Sequence, residues 1–300
     1  MLQSPGMTSL VLPPRPEDGH KGTFGSVCVI GGCKSEDGLV MLGAPALAAN
    51  AALRSGCGQV VLATPQPLLA HALSLAPTAT GVELPVDDVS RLMPSQSITL
   101  LDQHCGSCRA IALGMGFGQG WSQQQLVTAL IAREDRPIVL DADGLNALAS
   151  LEQGALDIHS PLVMTPHVGE FARLASAFNI HATGSLEEDA AALAQTCGAI
   201  VVLKSHTTVI SNGIQTERCD QGGVELATGG SGDVLAGLIA GLIAQYGVQA
   251  NDHLFDAALL GVHIHALAGK AVAEHQGNTG MLATDLLGEI PKTISKLRKG

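Results

Sequence analysis

Aromatic side chains are scarce in this chain, 2% of 300 residues, with one Trp, one Tyr and five Phe. That argues against stacking platforms for bases or sugars. Cations are also few, 16 against 27 acids for a net charge of -11, which argues against nonspecific nucleic-acid binding. A phosphorylated ligand must then be held locally, by N–H groups, a metal and one or two cations. Runs of membrane-span length and a basic-then-apolar leader are both missing, so neither a membrane partner nor export is expected. Seven cysteines, an odd number, sit in apolar contexts and read as reduced core residues of a cytoplasmic protein. Cys105-Gly106-Ser107-Cys108 is a lone CxxC without a second pair at zinc-site spacing.

What is present is a 46% hydrophobic chain long enough for a large core. Short β-branched runs at Val27–Ile30, Val60–Ala63, Ile111–Leu113, Ile138–Leu140, Leu162–Met164 and Ile200–Leu203 predict buried strands. Helical patterns at Ala44–Arg54, Gln123–Arg133, Gly169–Phe178 and Leu186–Thr196 lie between most of them. Strand and helix in alternation imply an α/β fold, a mainly parallel sheet with helices on both faces. Thr207–Ser211 and Ile214–Arg218 flank Asn212-Gly213, a hairpin signal. The tail from Asp252 to Lys299 reads as helical with a break at Gly277–Gly280. Residues 1–20 read as an irregular proline-bearing arm, and 21–300 as a single domain.

In such a sheet the ligand crevice lies beyond the carboxyl ends of the strands, where the glycine-rich segments fall. The most informative is Ala227-Thr228-Gly229-Gly230-Ser231-Gly232-Asp233, followed by an apolar helical stretch to about Gln245. Its N–H groups and the helix start make an anion hole. A carboxylate there would repel a phosphate unless it takes a proton from an attacking hydroxyl; the plainer alternative makes Asp233 a helix cap. Two familiar phosphate loops are excluded: Trp121 stands where a dinucleotide fingerprint at Gly116-Phe117-Gly118 needs Gly or Ala, and Leu203 precedes Lys204-Ser205 where a P-loop needs Gly. Asp141 and Asp143 leave one strand two residues apart, so the period-2 rule aims them the same way. As a pair they could hold magnesium, or cap a helix beginning near Leu145, and Asn146 could orient a phosphate or be a cap. His167, in Thr165-Pro166-His167-Val168-Gly169-Glu170, is placed at the mouth of the crevice, or else is merely exposed beside capping Thr165 and Glu170. Lys204 ends an apolar strand and could meet a phosphate, with Thr207 or Thr208 adding hydroxyls, or be a surface lysine. Leaving different strands, His167 and Lys204 are expected to serve different ligands. Gly43–Ala49 is small-sided, for tight helix packing or for close approach of a flat ligand. His263 and His265 read as filler in an apolar helix.

In order and spacing these segments resemble the NAD(P)H-hydrate dehydratases from about residue 18 to 292. The likeness is carried by Lys21-Gly22-Thr23-Phe24-Gly25, Val29-Ile30-Gly31-Gly32, Gly43-Ala44-Pro45, Asp141–Asn146, Thr165–Glu170, Val201–Lys204, Ala227–Asp233 and Gly280–Leu287. It implies a ribokinase-like fold and a metabolite-repair lyase. Such an enzyme dehydrates the S form of C6-hydrated NADH or NADPH, using ADP and Mg2+ and releasing AMP and phosphate. The runner-up is a ribokinase-like kinase of a vitamin-precursor alcohol, of the hydroxymethylpyrimidine or hydroxyethylthiazole type. Carried over by motif, Asp233 is the catalytic base, and Ala44, Gly116 and His167 contact the hydrate. Lys204, Ser205, His206, Thr207, Thr208, Gly229, Gly230 and Gly232 contact the nucleotide; the metal ligand expected from the aspartate pair is Asp141. The likeness also implies a homo-oligomer, a tetramer, and the short arm leaves no room for an epimerase domain ahead of this one. The chain departs from the family pattern at Met115 and Val168, where Pro is usual, and at Ser205, where Gly is usual.

Overall fold

The computed structural model describes residues 11–35, 37–151, 157–247 and 253–299. Its strands are β1 Ser26–Ile30, β2 Cys33–Lys34, β3 Val40–Met41, β4 Gln59–Pro65, β5 Thr80–Leu84, β6 Ala110–Leu113, β7 Ile138–Leu140, β8 Leu162–Met164, β9 Ile200–Leu203, β10 Thr208–Ser211 and β11 Thr216–Cys219. The α-helices are α1 Gly43–Ser55, α2 Leu69–Leu75, α3 Pro94–Cys105, α4 Trp121–Ile131, α5 Asp143–Ala149, α6 Val168–Ala177, α7 Leu186–Cys197, α8 Ser231–Tyr246, α9 Leu254–Gln276 and α10 Ala283–Lys299. Nine strands form one sheet in the order β11-β10-β9-β8-β7-β6-β1-β4-β5, and β2 and β3 form a separate two-stranded ribbon. The strands from β9 to β5 in that order pair in parallel, whereas β10 and β11 join antiparallel.

Alternation within each strand divides the core in two. On β1, Val27 and Val29 join the cluster under α1, α8 and α9, while Cys28 and Ile30 join the one under α3 to α7. The small residues of α1 are used for helix packing: a Cβ at Gly237 of α8 would lie 2.0 Å from the Ala48 carbonyl oxygen. The seven cysteines are buried and unpaired. In the CxxC, the hydrogen bond to Cys105 together with burial holds the Cys108 thiol far above its ordinary value, so it is inert as a nucleophile.

All six predicted strands are present, and the four predicted helices agree with α1, α4, α6 and α7 within two residues at each end. Strand β5, helices α2 and α3 and the ribbon lay outside the sequence reading. The hairpin turn is longer than expected from Asn212-Gly213. Ser211 pairs with Thr216, and the Asn212 side chain accepts the Ile214 and Gln215 N–H groups at 2.9 and 2.7 Å, an Asx turn that spans four residues. Of the expected arm, residues 1–10 lie outside the described residues, as does Asp252 at the head of the tail; residues 11–20 carry neither helix nor strand.

Candidate active site

Because β1, β6, β7, β8 and β9 are parallel neighbours, the loops after them gather along one edge of the sheet. Backbone packs directly on backbone there: Gly114 has φ 117, and a Cβ on it would lie 2.1 Å from the Asp141 carbonyl oxygen. The first turn of α8 meets the same edge. At Gly232 a Cβ would be 3.2 Å from Lys204 Nζ and 3.8 Å from Asp141 Oδ2. Gly230 has φ 92, the left-handed value that favours glycine. A Cβ there would lie 2.6 Å from Leu47 Cδ1 and 3.0 Å from Ala283 Cβ. The Gly-rich loop is thus wedged against α1 and α10 on one side and against Lys204 on the other.

Lys204 Nζ donates to Asp141 Oδ1 at 2.8 Å, with the Asp141 side chain 3% exposed. Burial opposes the charge on Lys204, but Asp141, Glu170 and Asp233 outweigh it and raise its pKa. Burial, reinforced by Asp141, pushes the Glu170 carboxyl above the ordinary range against the pull of Lys204. Asp233 is pushed up to about 7, by burial first and then by the charges of Asp141, Asp143 and Glu170, with Lys204 opposing. A carboxyl so placed changes protonation near neutral pH, which suits proton transfer.

The aspartate pair does not converge as the period-2 rule predicts. Ala142 takes φ 50 and ψ -118 at the start of α5, which turns the chain sharply between the two carboxylates. Asp143 Oδ2 instead accepts the Gly118 N–H at 2.8 Å, and its Oδ1 meets Gln119 and Asn146 at 3.3 Å. Its work is to fix the β6–α4 loop. The Asn146 amide is engaged within the protein, its Oδ1 accepting from Arg173 Nε at 2.9 Å. Among the described residues no cluster of three or more His, Cys, Asp or Glu is set to hold a metal.

His167 caps α6 directly, a role the sequence reading gave to its neighbours. Its Nδ1 accepts the Gly169 and Glu170 N–H groups at 2.9 and 3.3 Å, while Glu170 Oε2 accepts the His167 N–H at 2.8 Å. This is a capping box with histidine at the cap. Since β8 and β9 are adjacent, a backbone bridge pairs His167 with Lys204, and both line one cavity. The expected division of these two residues between ligands is therefore not one of place.

That cavity, about 870 Å³, is polar along Lys204, Ser205, His206 and Thr208 on one wall and Thr228, Ser231 and Gly232 on the other. Val224, Leu226, Val262 and Ala266 make its apolar end. Such a split suits a ligand with an anionic end and a flat apolar end. Thr207 is not brought to it: its side chain is turned inward and donates to Asp220 Oδ1 at 2.8 Å. Ser205 needs no glycine, since the non-glycine residues with positive φ among those described are Ser90, Ala142 and Asn179. Gly232 lines the cavity, whereas Gly230 packs behind it and Gly229 has nothing within 4 Å of a Cβ position. Ala44 and Gly116 adjoin each other elsewhere: a Cβ on Gly116 would be 3.2 Å from Ala44 Cβ and 2.9 Å from Met41 Cβ, under the β2–β3 ribbon. The sequence reading missed the apolar end and also His265. The available signal was an apolar Val-x-Leu just before the glycines.

His265 is buried and holds the first turn of α8, with Nε2 3.0 Å from the Ser231 carbonyl oxygen and 3.1 Å from its Oγ. Burial lowers its pKa to about 4, against the hydrogen bond to Ser231, so it is neutral at working pH and Nε2 carries the donated proton. His265→Ala is expected to destabilise the fold by about 1–3 kcal/mol, the cost of an orphaned buried group, and to raise the KM for the cavity's ligand. Thermal midpoints at pH 6 and pH 8 check this. A loss much greater at pH 6 than at pH 8 would mean that the imidazole is charged.

Comparison with known proteins places this geometry among relatives. The family described as NAD(P)H-hydrate dehydratase matches residues 27–292. A bifunctional NAD(P)H-hydrate repair enzyme of Moorella thermoacetica is 36% identical over 96% of this chain and 52% of its own length. An ADP-dependent (S)-NAD(P)H-hydrate dehydratase of Neisseria meningitidis is 34% identical over 99% of this chain and 93% of its own. The chain thus spans about half the length of several curated relatives and nearly all of others. A solved ADP/ATP-dependent NAD(P)H-hydrate dehydratase of Bacillus subtilis, co-crystallised with ATP and Mg2+, superposes with a TM-score of 0.74 at 27% identity, covering 95% of this chain and 94% of that one. The fold is ribokinase-like.

Proposed function

Because the chain belongs to the NAD(P)H-hydrate dehydratase family, we propose that it restores NADH or NADPH from the S form of the C6-hydrated cofactor, at the expense of ADP. The observation that carries this reading is Asp233, a half-buried carboxyl whose pKa is pushed up to about 7, set in the first turn of α8 near Lys204 and directly after Gly232 of the cavity lining. Asp233 takes the proton of the C6 hydroxyl, whose oxygen then attacks the terminal phosphorus of ADP. The bond to the bridging oxygen breaks and AMP leaves. Phosphate is a far better leaving group than hydroxide. It departs with the C6–O electron pair as C5 gives up a proton to water, and the ring double bond returns. The N–H groups of the Gly229–Asp233 loop and Lys204 bind the phosphates and stabilise the charge that develops on them.

The nucleotide lies in the 870 Å³ cavity, its base toward Val262 and Ala266 and its phosphates toward Lys204, Ser205, His206, Thr208 and Gly232. The hydrate approaches from Ala44 and Gly116, with His167 between the two ligands. Asp141 Oδ1 is engaged by Lys204, which leaves Oδ2 to hold Mg2+ directly or through water. One free carboxylate oxygen fits an ion that arrives on phosphates and keeps much of its hydration. When bound, Mg2+ neutralises phosphate charge. The same reading makes the enzyme a cytoplasmic homo-oligomer, a tetramer, without nucleic-acid or membrane partners. No described helix is long and apolar enough to cross a membrane.

Incubation with ADP, Mg2+ and hydrated NADH tests the reading, since recovery of the reduced-nicotinamide absorbance reports the product. No recovery, with phosphorylation of hydroxymethylpyrimidine or hydroxyethylthiazole instead, would turn the assignment to a vitamin-precursor kinase. ADP is expected to give a higher kcat/KM than ATP, and an equal or higher value with ATP would overturn the choice of donor.

A further inference from the structure

A second cavity, about 390 Å³, lies between the C-terminal ends of α1 and α10, lined by Arg15, Arg54 and Arg298 with Ser55 and Ser295 beside them. Among the described residues no carboxylate lines it. Arg133, Arg136 and Arg218, by contrast, each pair with a carboxylate. Arg15 spends one donor on the Gly56 carbonyl oxygen at 2.8 Å, and Arg298 one on that of Pro13 at 2.8 Å. A guanidinium has five N–H donors, so most remain unused. Arg54 makes no hydrogen bond or ion pair among the described residues. Two of the cations also oppose each other: burial and then the charge of Arg15 lower the pKa of Arg298. Leu53, Pro291 and Ile294 give the cavity an apolar wall.

We propose that this arginine-lined cavity is a binding site for a phosphate-bearing small molecule, separate from the active site. Guanidinium forks match phosphate oxygens, and a bound dianion would relieve the repulsion between Arg15 and Arg298. The site is remote from the chemistry. Helix α1 begins at Gly43, with Ala44 beside Gly116, and ends at this cavity after 13 residues, about 20 Å away at 1.5 Å per residue.

Calorimetric titration with inorganic pyrophosphate at low salt tests the proposal. The wild type is expected to show two sites. R54Q and R298Q should each weaken one of them at least tenfold, and K204A should weaken the other. R54Q carries the test if R298Q fails to fold, because Arg54 has no internal partner to lose. A parallel titration with ribose 5-phosphate shows whether the apolar wall adds affinity beyond the bare anion. A wild type with one site, abolished by K204A, would overturn the proposal. So would an R54Q protein that titrates as the wild type does.

Discussion

Asp233→Asn is expected to lower turnover about 10²–10⁴-fold, the range for loss of a general base, and at the same time to raise the thermal midpoint above pH 7. The first effect follows from losing the proton acceptor while side-chain size is kept. The second follows from linkage. Burial raises the folded-state pKa of Asp233 from 3.8 to about 7. Its contribution to stability is therefore fully present below pH 4 and is lost as pH rises to about 7. A tenfold change in proton affinity corresponds to about 1.4 kcal/mol, so the charged carboxyl costs up to about 4 kcal/mol at pH 8. Asparagine removes that cost, and the gain should vanish near pH 4. Wild-type kcat/KM for the hydrate should also climb about tenfold per pH unit below pH 7 and level off above it. A variant with near-full kcat would sink the base assignment. An inactive variant that is also less stable at pH 8 would point to a folding defect.

The sheet was legible because its central strands are short apolar β-branched runs, and little else in a chain so poor in aromatics could bury them. The Gly229–Asp233 loop stood out because its glycines run straight into an apolar helical stretch, although a plain glycine-rich turn capped by Asp233 fits the same pattern. Other features depended on pairings that no local pattern encodes. The Asp141 and Asp143 carboxylates part because Ala142 adopts φ 50, a conformation that alanine rarely takes and that period-2 reasoning ignores. His167 and Lys204 are far apart in the chain, yet they meet because β8 and β9 are neighbours. The apolar end of the cavity joins Val224 and Leu226 to Val262 and Ala266 of α9, a contact fixed by helix packing. Thr207 looked available beside Lys204, but Asp220 across the β10–β11 hairpin takes its hydroxyl.

Lys204→Ala is expected to weaken ADP binding about ten- to a hundred-fold, since a charge-assisted hydrogen bond contributes about 1.5–3 kcal/mol. Binding of the hydrate should fall less. Equal weakening of both ligands would indicate a general loss of folding. A further consequence belongs to Lys204 as the shared counter-charge of three acids, Asp141, Glu170 and Asp233. Its ammonium is bonded to Asp141, whose side chain is 3% exposed, and it holds down the pKa of both Glu170 and Asp233. Removing it leaves buried carboxylates uncompensated, which destabilises a fold by about 3–5 kcal/mol unless they take up protons. The variant should therefore lose more stability at pH 8 than at pH 5, where proton uptake by the carboxylates is easier. The inflection in its pH–rate profile should also move to higher pH, because Asp233 becomes harder to ionise. Lost nucleotide contact alone would lower affinity and leave that inflection in place. An unmoved inflection, measured at saturating ADP, would restrict Lys204 to phosphate binding and remove it from the control of the base.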